Sequence, residues 1–257
     1  MGKSLFSELK TKLQDVFKTN KNWWTKTSWK NLCGDEIMGS RIEKALQISD
    51  KFAQNQPYEL SRKGKTNALK LREELELTSK RYDSILKGGH LEEFLERAIT
   101  ASCGEECCRI HNQYNLLSGI LPNQSRKAID LVIVNSNGCL SELIELKAST
   151  NTADNPLSAA FEIILDYLVL KHIKEDISKI EQLIILAPKQ YYDYFGMPYN
   201  KYREVARILS RNLGLRLFFQ TSDHHLKEAE LARYFKPEEE MKRSQVVKDW
   251  FKARKNI

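Results

Sequence analysis

No stretch of this chain stays apolar long enough to cross a bilayer. The longest runs, FEIILDYLVL and LIILAP, are broken by charge or stop early, short of the roughly 20 apolar residues a span requires. The N-terminus, MGKSLFSELKTKL, is amphipathic and has neither a signal-peptide apolar stretch nor a small-residue cleavage site, and position 6 is Phe where a myristoylation pattern asks for Ser or Thr. These absences lead us to expect a cytoplasmic protein without membrane attachment. Cysteine is sparse: there are five, an odd number, which in that compartment argues for reduced thiols over a disulfide framework. Three of them, Cys103, Cys107 and Cys108, crowd together in ASCGEECCRI. A zinc site using Cys33 or His111 as well is one reading of that cluster. The paired C-x₂-C spacing of zinc modules is missing, so buried free thiols are the simpler reading. No G-x-x-x-x-G-K-[ST] loop occurs, which excludes an ATP-driven motor of that type. No internal repeat or low-complexity tract interrupts the pattern.

What is abundant is positive charge. The 257 residues carry a net charge of +7 with a pI near 9.0, a balance that favours a polyanionic partner. The excess concentrates in KTNKNWWTKTSWKN, SRKGKTNALKLR and MKRSQVVKDWFKARKNI. Two of these stretches also hold tryptophan, and basic residues beside aromatics suit phosphate attraction with base stacking. The alternative is a solvated helical face anchored by aromatics that pack inward.

The first ninety residues read as helical. Leu5, Phe6, Leu9, Leu13, Val16 and Phe17 recur near helical spacing, Ile37, Ile42, Leu46, Ile48 and Phe52 do so again, and TNALKLREELELTSKRYDSIL is a third candidate. We read residues 1–87 as a helical N-terminal region, a small appendage suited to DNA binding or dimerisation, ending at the KGGH segment. From residue 88 to 257 the grammar changes. HLEEFLERAITAS is a helix and CCRIHNQYNLL a strand. KAIDLVIV and CLSELIELKAS form a hairpin around the NSNG turn, and PLSAAFEIILDYLVLKHI is a long helix with an early proline. EQLIILAP is a buried-type strand, NKYREVARILSRNLG a helix and LRLFFQT a last strand, followed by a basic helical tail. The expected fold class is therefore α/β, a mixed sheet flanked by helices.

Charge inside the hairpin is the unusual feature. Asp130 interrupts AIDLVIV, and Glu145 and Lys147 flank Leu146 in LIELK, fifteen and seventeen positions later. Residues two apart on a strand share a face, and an unpaired carboxylate is costly to bury. Charges in such strands point to a site. Two carboxylates and a main-chain carbonyl suit Mg²⁺, which keeps several waters, and a neighbouring ammonium stabilises charge on a phosphoryl group. Hydrolysis of a phosphodiester is the chemistry that fits.

Asp130 and the Glu145-Leu146-Lys147 trio resemble the D-x(n)-(D/E)-x-K signature of the PD-(D/E)XK nuclease superfamily, and the αβββαβ order over roughly residues 88 to 220 is similar to that family's restriction-endonuclease-like core. The resemblance implies Asp130, Glu145 and the Leu146 carbonyl as metal ligands, Lys147 as the catalytic lysine, Mg²⁺ as cofactor with Mn²⁺ substituting, and nucleic acid, principally double-stranded DNA, as partner. It further implies an endonuclease of restriction or defence type. The same core acting on branched DNA or RNA is an alternative, as is a catalytically inactive nucleic-acid-binding module. A homodimer is expected where both strands of a duplex are cut. The family often adds a helix glutamate. Glu92, Glu93 and Glu96 compete here, and Glu92, at the edge of the apolar face, is preferred, with Glu93 and Glu96 expected nearer solvent. One departure is Ile129, which stands where the family's proline would be.

Four further groups are weighed. Glu142 is expected to face solvent on the opposite side from Glu145. Glu162, Asp166 and Tyr167 on the long helix are candidates to face the site, with none singled out. Tyr191, Tyr192 and Tyr194 with Lys189 either line a nucleic-acid groove or form a packed aromatic loop. His224 and His225 read as surface histidines at the start of a helix rather than as a metal pair.

Overall fold

The computed structural model describes residues 4–18, 22–56, 92, 95–96, 99, 109–115, 128–147, 154–173, 179–222 and 240–257. Three helices come first: α1 (Leu5–Phe17), α2 (Lys26–Cys33) and α3 (Met38–Gln54). Strands β1 (Arg109–Asn115), β2 (Ala128–Val134) and β3 (Leu140–Leu146) follow. Then come α4 (Pro156–His172), β4 (Gln182–Leu186), α5 (Lys189–Phe195), α6 (Tyr199–Leu213), β5 (Arg216–Ser222), α7 (Glu240–Lys252) and β6 (Arg254–Asn256). The six strands form one sheet in sequence order. Pairing is antiparallel from β1 to β3, parallel from β3 to β5 and antiparallel again for β6. The mixed α/β class expected from the sequence is the class observed.

Alternation along the strands separates two cores. Val132, Leu143, Leu183, Ile185, Leu217 and Phe219 face one cluster, shared with α1, α3, α4 and α6. Leu131, Ile133, Ile144, Leu146, Ile184 and Leu186 face a smaller one with Leu95, Ile99 and, from α7, Val247, Trp250 and Phe251. The central helix α4 lies on β3 and β4 and is covered on its other side by α3 and α1. Thirteen of its seventeen residues are buried, as a helix that is apolar all round must be.

All six apolar positions predicted for α1 are buried. They share the larger cluster with α4 and the sheet, a closer union than an appendage implies. Residues 57–87, including the third helical candidate, lie outside the described residues. On α3 the reading of Ile37 was wrong. It caps the helix instead of lying within it and is 55% exposed. Three of the four tryptophans of the basic stretches follow the inward-packing alternative: Trp23, Trp29 and Trp250 are fully buried, and Trp24 is half-buried against the same cluster. Trp23 donates its indole N–H to the Lys10 carbonyl at 3.0 Å. The tail is not helical throughout. The helix stops at Lys252, and Arg254–Asn256 pair along β5, covering a strand edge that would otherwise be open. Among the described residues, no helix is long and apolar enough to cross a membrane.

One side chain ties the N-terminal helices to the sheet. Asn155 is fully buried; its Oδ1 accepts from the Ser158 amide at 2.9 Å, capping α4 ahead of Pro156. Its Nδ2 donates to the carbonyls of Trp23 at 2.8 Å and Thr25 at 3.2 Å. The Thr25 carbonyl also accepts from the Trp29 amide at 3.0 Å; a lost cap costs about 1 kcal/mol and the Trp23 carbonyl, left without this donor, about 1–3 kcal/mol. Asn155→Ala is therefore expected to lower unfolding free energy by about 2–4 kcal/mol in denaturant titration. A change below about 0.5 kcal/mol would mean that the turn before α2 is held without this side chain, by packing and by the bond from the amide of residue 155 to the Trp24 carbonyl at 2.7 Å.

Candidate active site

The hairpin brings the sequence candidates together. In the β2–β3 ladder Leu131 opposes Ile144 and Val132 opposes Leu143; one further step in the same register sets Asp130 opposite Glu145. The turn that starts the hairpin is local, and a shift between Ile133 and Val134 sets the register beyond it. Gly138, at φ 79°, donates its amide to the Asn135 carbonyl at 2.9 Å, and the Asn135 side chain accepts from the amides of Asn137 and Cys139. At the far end, Asp130 Oδ2 accepts the Leu146 N–H at 2.8 Å. The carboxylate thus takes over an amide at the end of the ladder. The Leu146 side chain points to the opposite core, leaving Glu145 and Lys147 on the α4 face.

There the lysine is enclosed by acids. Lys147 Nζ donates to Glu145 Oε1 at 2.5 Å and lies 3.6 Å from Glu162 Oε2 on α4. Glu145 and Lys147 are only 4% and 7% exposed, whereas Asp130 keeps partial contact with solvent. Burial would by itself pull the lysine toward neutrality. The charges of Glu145, Glu162, Glu92 and Asp130 outweigh it and hold the ammonium protonated well above its ordinary range. Burial acts in the other direction on the acids. It pushes Asp130 up to about 7, against the opposing pull of Lys147 and the Leu146 amide. Burial, followed by repulsion from Asp130 and Glu162, raises Glu145 well above the carboxylate range, with Lys147 opposing.

Glu92 is helical, half-buried and close enough to act on the charges of Asp130, Lys147 and Tyr191, which agrees with its preference from the sequence. Glu96 departs from expectation. It is 3% exposed, not solvent-facing, because it sits one turn after Glu92 and next to buried Leu95, so the helix turns it inward. Glu93 lies outside the described residues. Glu142 lies on the face opposite Glu145, as expected, but not in solvent. It is half-buried and accepts a hydrogen bond from Gln182 Nε2 at 2.7 Å.

Of the three α4 candidates, Glu162 reaches the lysine, Asp166 is buried, and Tyr167 packs half-buried against the core. The tyrosines after β4 are not in a loop. Residues 189–195 form α5, closed by Gly196 at φ 64°. Tyr191 and Tyr192 are buried, and only Tyr194, at 40%, is exposed. Tyr191 donates its hydroxyl to the Asp154 carbonyl at 3.1 Å. Burial raises its phenol well above the ordinary range, with Lys147 opposing, so Tyr191 is a wall of the site. The sequence offered only a pattern break, a proline followed by aromatics at helical spacing. Cys33 is buried and its thiol is pushed up to about 12, chiefly by burial. Cys103, Cys107, Cys108, His224 and His225 lie outside the described residues, as does the His111 side chain.

No family model, curated protein or solved structure matches this chain. What the site can do is argued from its geometry.

Among the described residues no three His, Cys, Asp or Glu side chains converge as a metal centre. The donors present are two carboxylates on adjacent strands and the Leu146 carbonyl, all hard oxygens. That set suits Mg²⁺ or Mn²⁺, which complete their shells with water. Four acids, Asp130, Glu145, Glu162 and Glu92, act on a single ammonium, and two of them, Asp130 and Glu145, are drawn toward the protonated form, so a divalent cation would take the place of those protons. The residues therefore fit a divalent cation.

The metal-free protein has a pH signature. Asp130 titrates near 3.8 in an ordinary setting and at about 7 here. Between those values the folded chain holds a proton that the unfolded chain has released, so stability falls as pH rises across the window. Glu145 acts in the same sense. Asp130→Asn removes that titration. In the absence of metal, the variant is expected to match wild type in thermal midpoint at pH 4 and to exceed it progressively up to pH 8. Parallel curves across that range would refute this account of the cluster.

Proposed function

We propose that this chain is a metal-dependent phosphodiesterase with a restriction-endonuclease-like core, and that it cuts DNA as an endonuclease. The observation that carries the reading is the placement of Asp130 and Glu145 on facing strands, with Lys147 on the same face between Glu145 and Glu162. The strand and helix order supports it, since the mixed sheet presents these groups at the ends of β2 and β3 beside the start of α4. The net charge of +7 suits a polyanionic substrate.

Asp130, Glu145 and the Leu146 carbonyl would hold the metal. When bound, Mg²⁺ or Mn²⁺ supplies an acidified water and neutralises charge on the phosphate. The remaining work falls to the chain. The Leu146 amide orients the Asp130 carboxylate. Lys147 presents a permanent cation in a water-poor pocket, where it stabilises negative charge developing on phosphorus. Glu162 supplies a second anchor for that ammonium, so Lys147 remains positioned when Glu145 turns to another cation. Tyr191, fixed by its bond to Asp154, keeps water from the α5 side of the lysine.

A nucleic-acid-binding module without catalysis is the second reading. It is favoured by one observation: the Lys147 ammonium itself satisfies Glu145, as a structural ion pair would.

Incubating supercoiled plasmid with Mg²⁺, Mn²⁺ or EDTA separates the two. Wild type is expected to nick or linearise it only with metal. Asp130→Ala and Lys147→Ala are expected to bind DNA but cut it at least 100-fold more slowly, a loss of the order seen when one charge-stabilising group is removed from an active site. Branched DNA and RNA in parallel assign the substrate. Absence of metal-dependent cleavage on every substrate, with equal binding by all three proteins, leaves the binding module.

A further inference from the structure

Resting on that reading, we propose that the ledge formed by α2 and α5 is a docking surface for a single nucleic-acid strand, with Tyr194 as a base-stacking platform and Lys26 and Lys30 as its phosphate contacts. Tyr194 is one of two large hydrophobic residues exposed among those described, at 40%. Lys26 Nζ lies over its ring, 3.9 Å from the centroid, and the ring edge is supported by Phe195, with centroids 5.1 Å apart. Lys30 Nζ reaches across to the end of α5, within 3.8 Å of the position a β-carbon on Gly196 would take. Neither lysine is paired with a carboxylate among the described residues, unlike Lys10, which holds Asp154 at 2.6 Å. Lys189, exposed at the start of α5, extends the positive ledge. Exposed Asp193 is the acidic residue of α5.

The ledge adjoins the site through two contacts. The first turn of α5 holds Tyr191, whose hydroxyl is bonded to Asp154 and whose phenol feels the charge of Lys147. The turn before α2 is bonded to Asn155 at the head of α4: Lys26 follows Thr25, whose carbonyl accepts from Asn155 Nδ2. Tyr194 follows Tyr191 by three residues on α5, about 4.5 Å along the helix at 1.5 Å per residue, so the ledge begins within one helical turn of the wall of the site.

The resting geometry suits capture of such a strand. Lys26 is half-buried, and a lysine over one aromatic face is held by only about 0.5–2 kcal/mol. A phosphate draws Lys26 off the ring, and the uncovered face accepts a base, which stacks without regard to sequence. A duplex offers no unstacked base, so the ledge is specific for an unpaired stretch or strand end.

Fluorescence anisotropy in EDTA, with a short labelled oligothymidine and a duplex of equal length, tests this. Lys26→Gln with Lys30→Gln removes two phosphate contacts and is expected to make the slope of log affinity against log salt shallower by about 1.4. Tyr194→Ala is expected to weaken oligothymidine binding roughly 5- to 100-fold, with Tyr194→Phe restoring it. Both sets are surface changes, so thermal midpoints should stay at the wild-type value. If wild type binds but the variants match it in affinity and slope, the ledge is wrong and the nuclease reading is untouched. Binding of duplex with no single-strand binding overturns the strand assignment. If wild type binds neither, the ledge fails together with the nucleic-acid reading beneath it.

Discussion

The end of the sheet where Asp130 and Glu145 lie depends on a charge that has to be buried. The Lys147 ammonium sits in the interior because Glu145 and Glu162 grip it and Asp130 and Glu92 surround it. A lone ammonium there would carry a desolvation cost of several kcal/mol. The acids in turn are eased by the lysine, which opposes the burial and mutual repulsion that draw protons onto Asp130 and Glu145. The cluster therefore commits three separate parts of the fold: the hairpin, the head of α4 and the helix that bears Glu92. None of them can shift without leaving a charge uncompensated.

The frame around the cluster supports this demand. Asn155 fastens the head of α4 to the turn before α2, and Lys10 of α1 ties Asp154 in the same corner. Tyr192 bridges the carbonyls of Ile185 and Gln220 from α5, at 2.8 and 3.2 Å, securing the ends of β4 and β5. These hydrogen bonds brace the end of the sheet where Asp130, Glu145 and Lys147 lie.

The parts of this arrangement that were legible in the sequence share one property: they are periodic or locally anomalous. α1 could be read because all six of its buried side chains repeat at helical spacing. The hairpin could be read because β-branched runs flank an Asn/Gly turn, and the site because Asp130, Glu145 and Lys147 are charges set among apolar residues. What escaped depends on contacts distant in sequence. The inward turn of Glu96 and the reach of Glu162 are decided by which helix packs where. The strand Arg254–Asn256 exists because β5 offers an open edge, and nothing in ARKNI itself encodes extension. α5 was missed because seven residues between Pro188 and Gly196 are too few for a helical period to declare itself.

The position of α4 has a consequence for the order in which the chain is made. α1 to α3 emerge first, with Leu9, Leu13, Ile42 and Ala45 already displayed along their inner faces. The helix those faces cover, Pro156–His172, is roughly a hundred residues further along. During synthesis the N-terminal helices must therefore wait, apolar side exposed, for a partner not yet translated, at about 5–20 residues per second. The positive charges spread through the same segment, at Lys10, Lys12, Lys18, Lys26 and Lys30, keep such waiting chains apart.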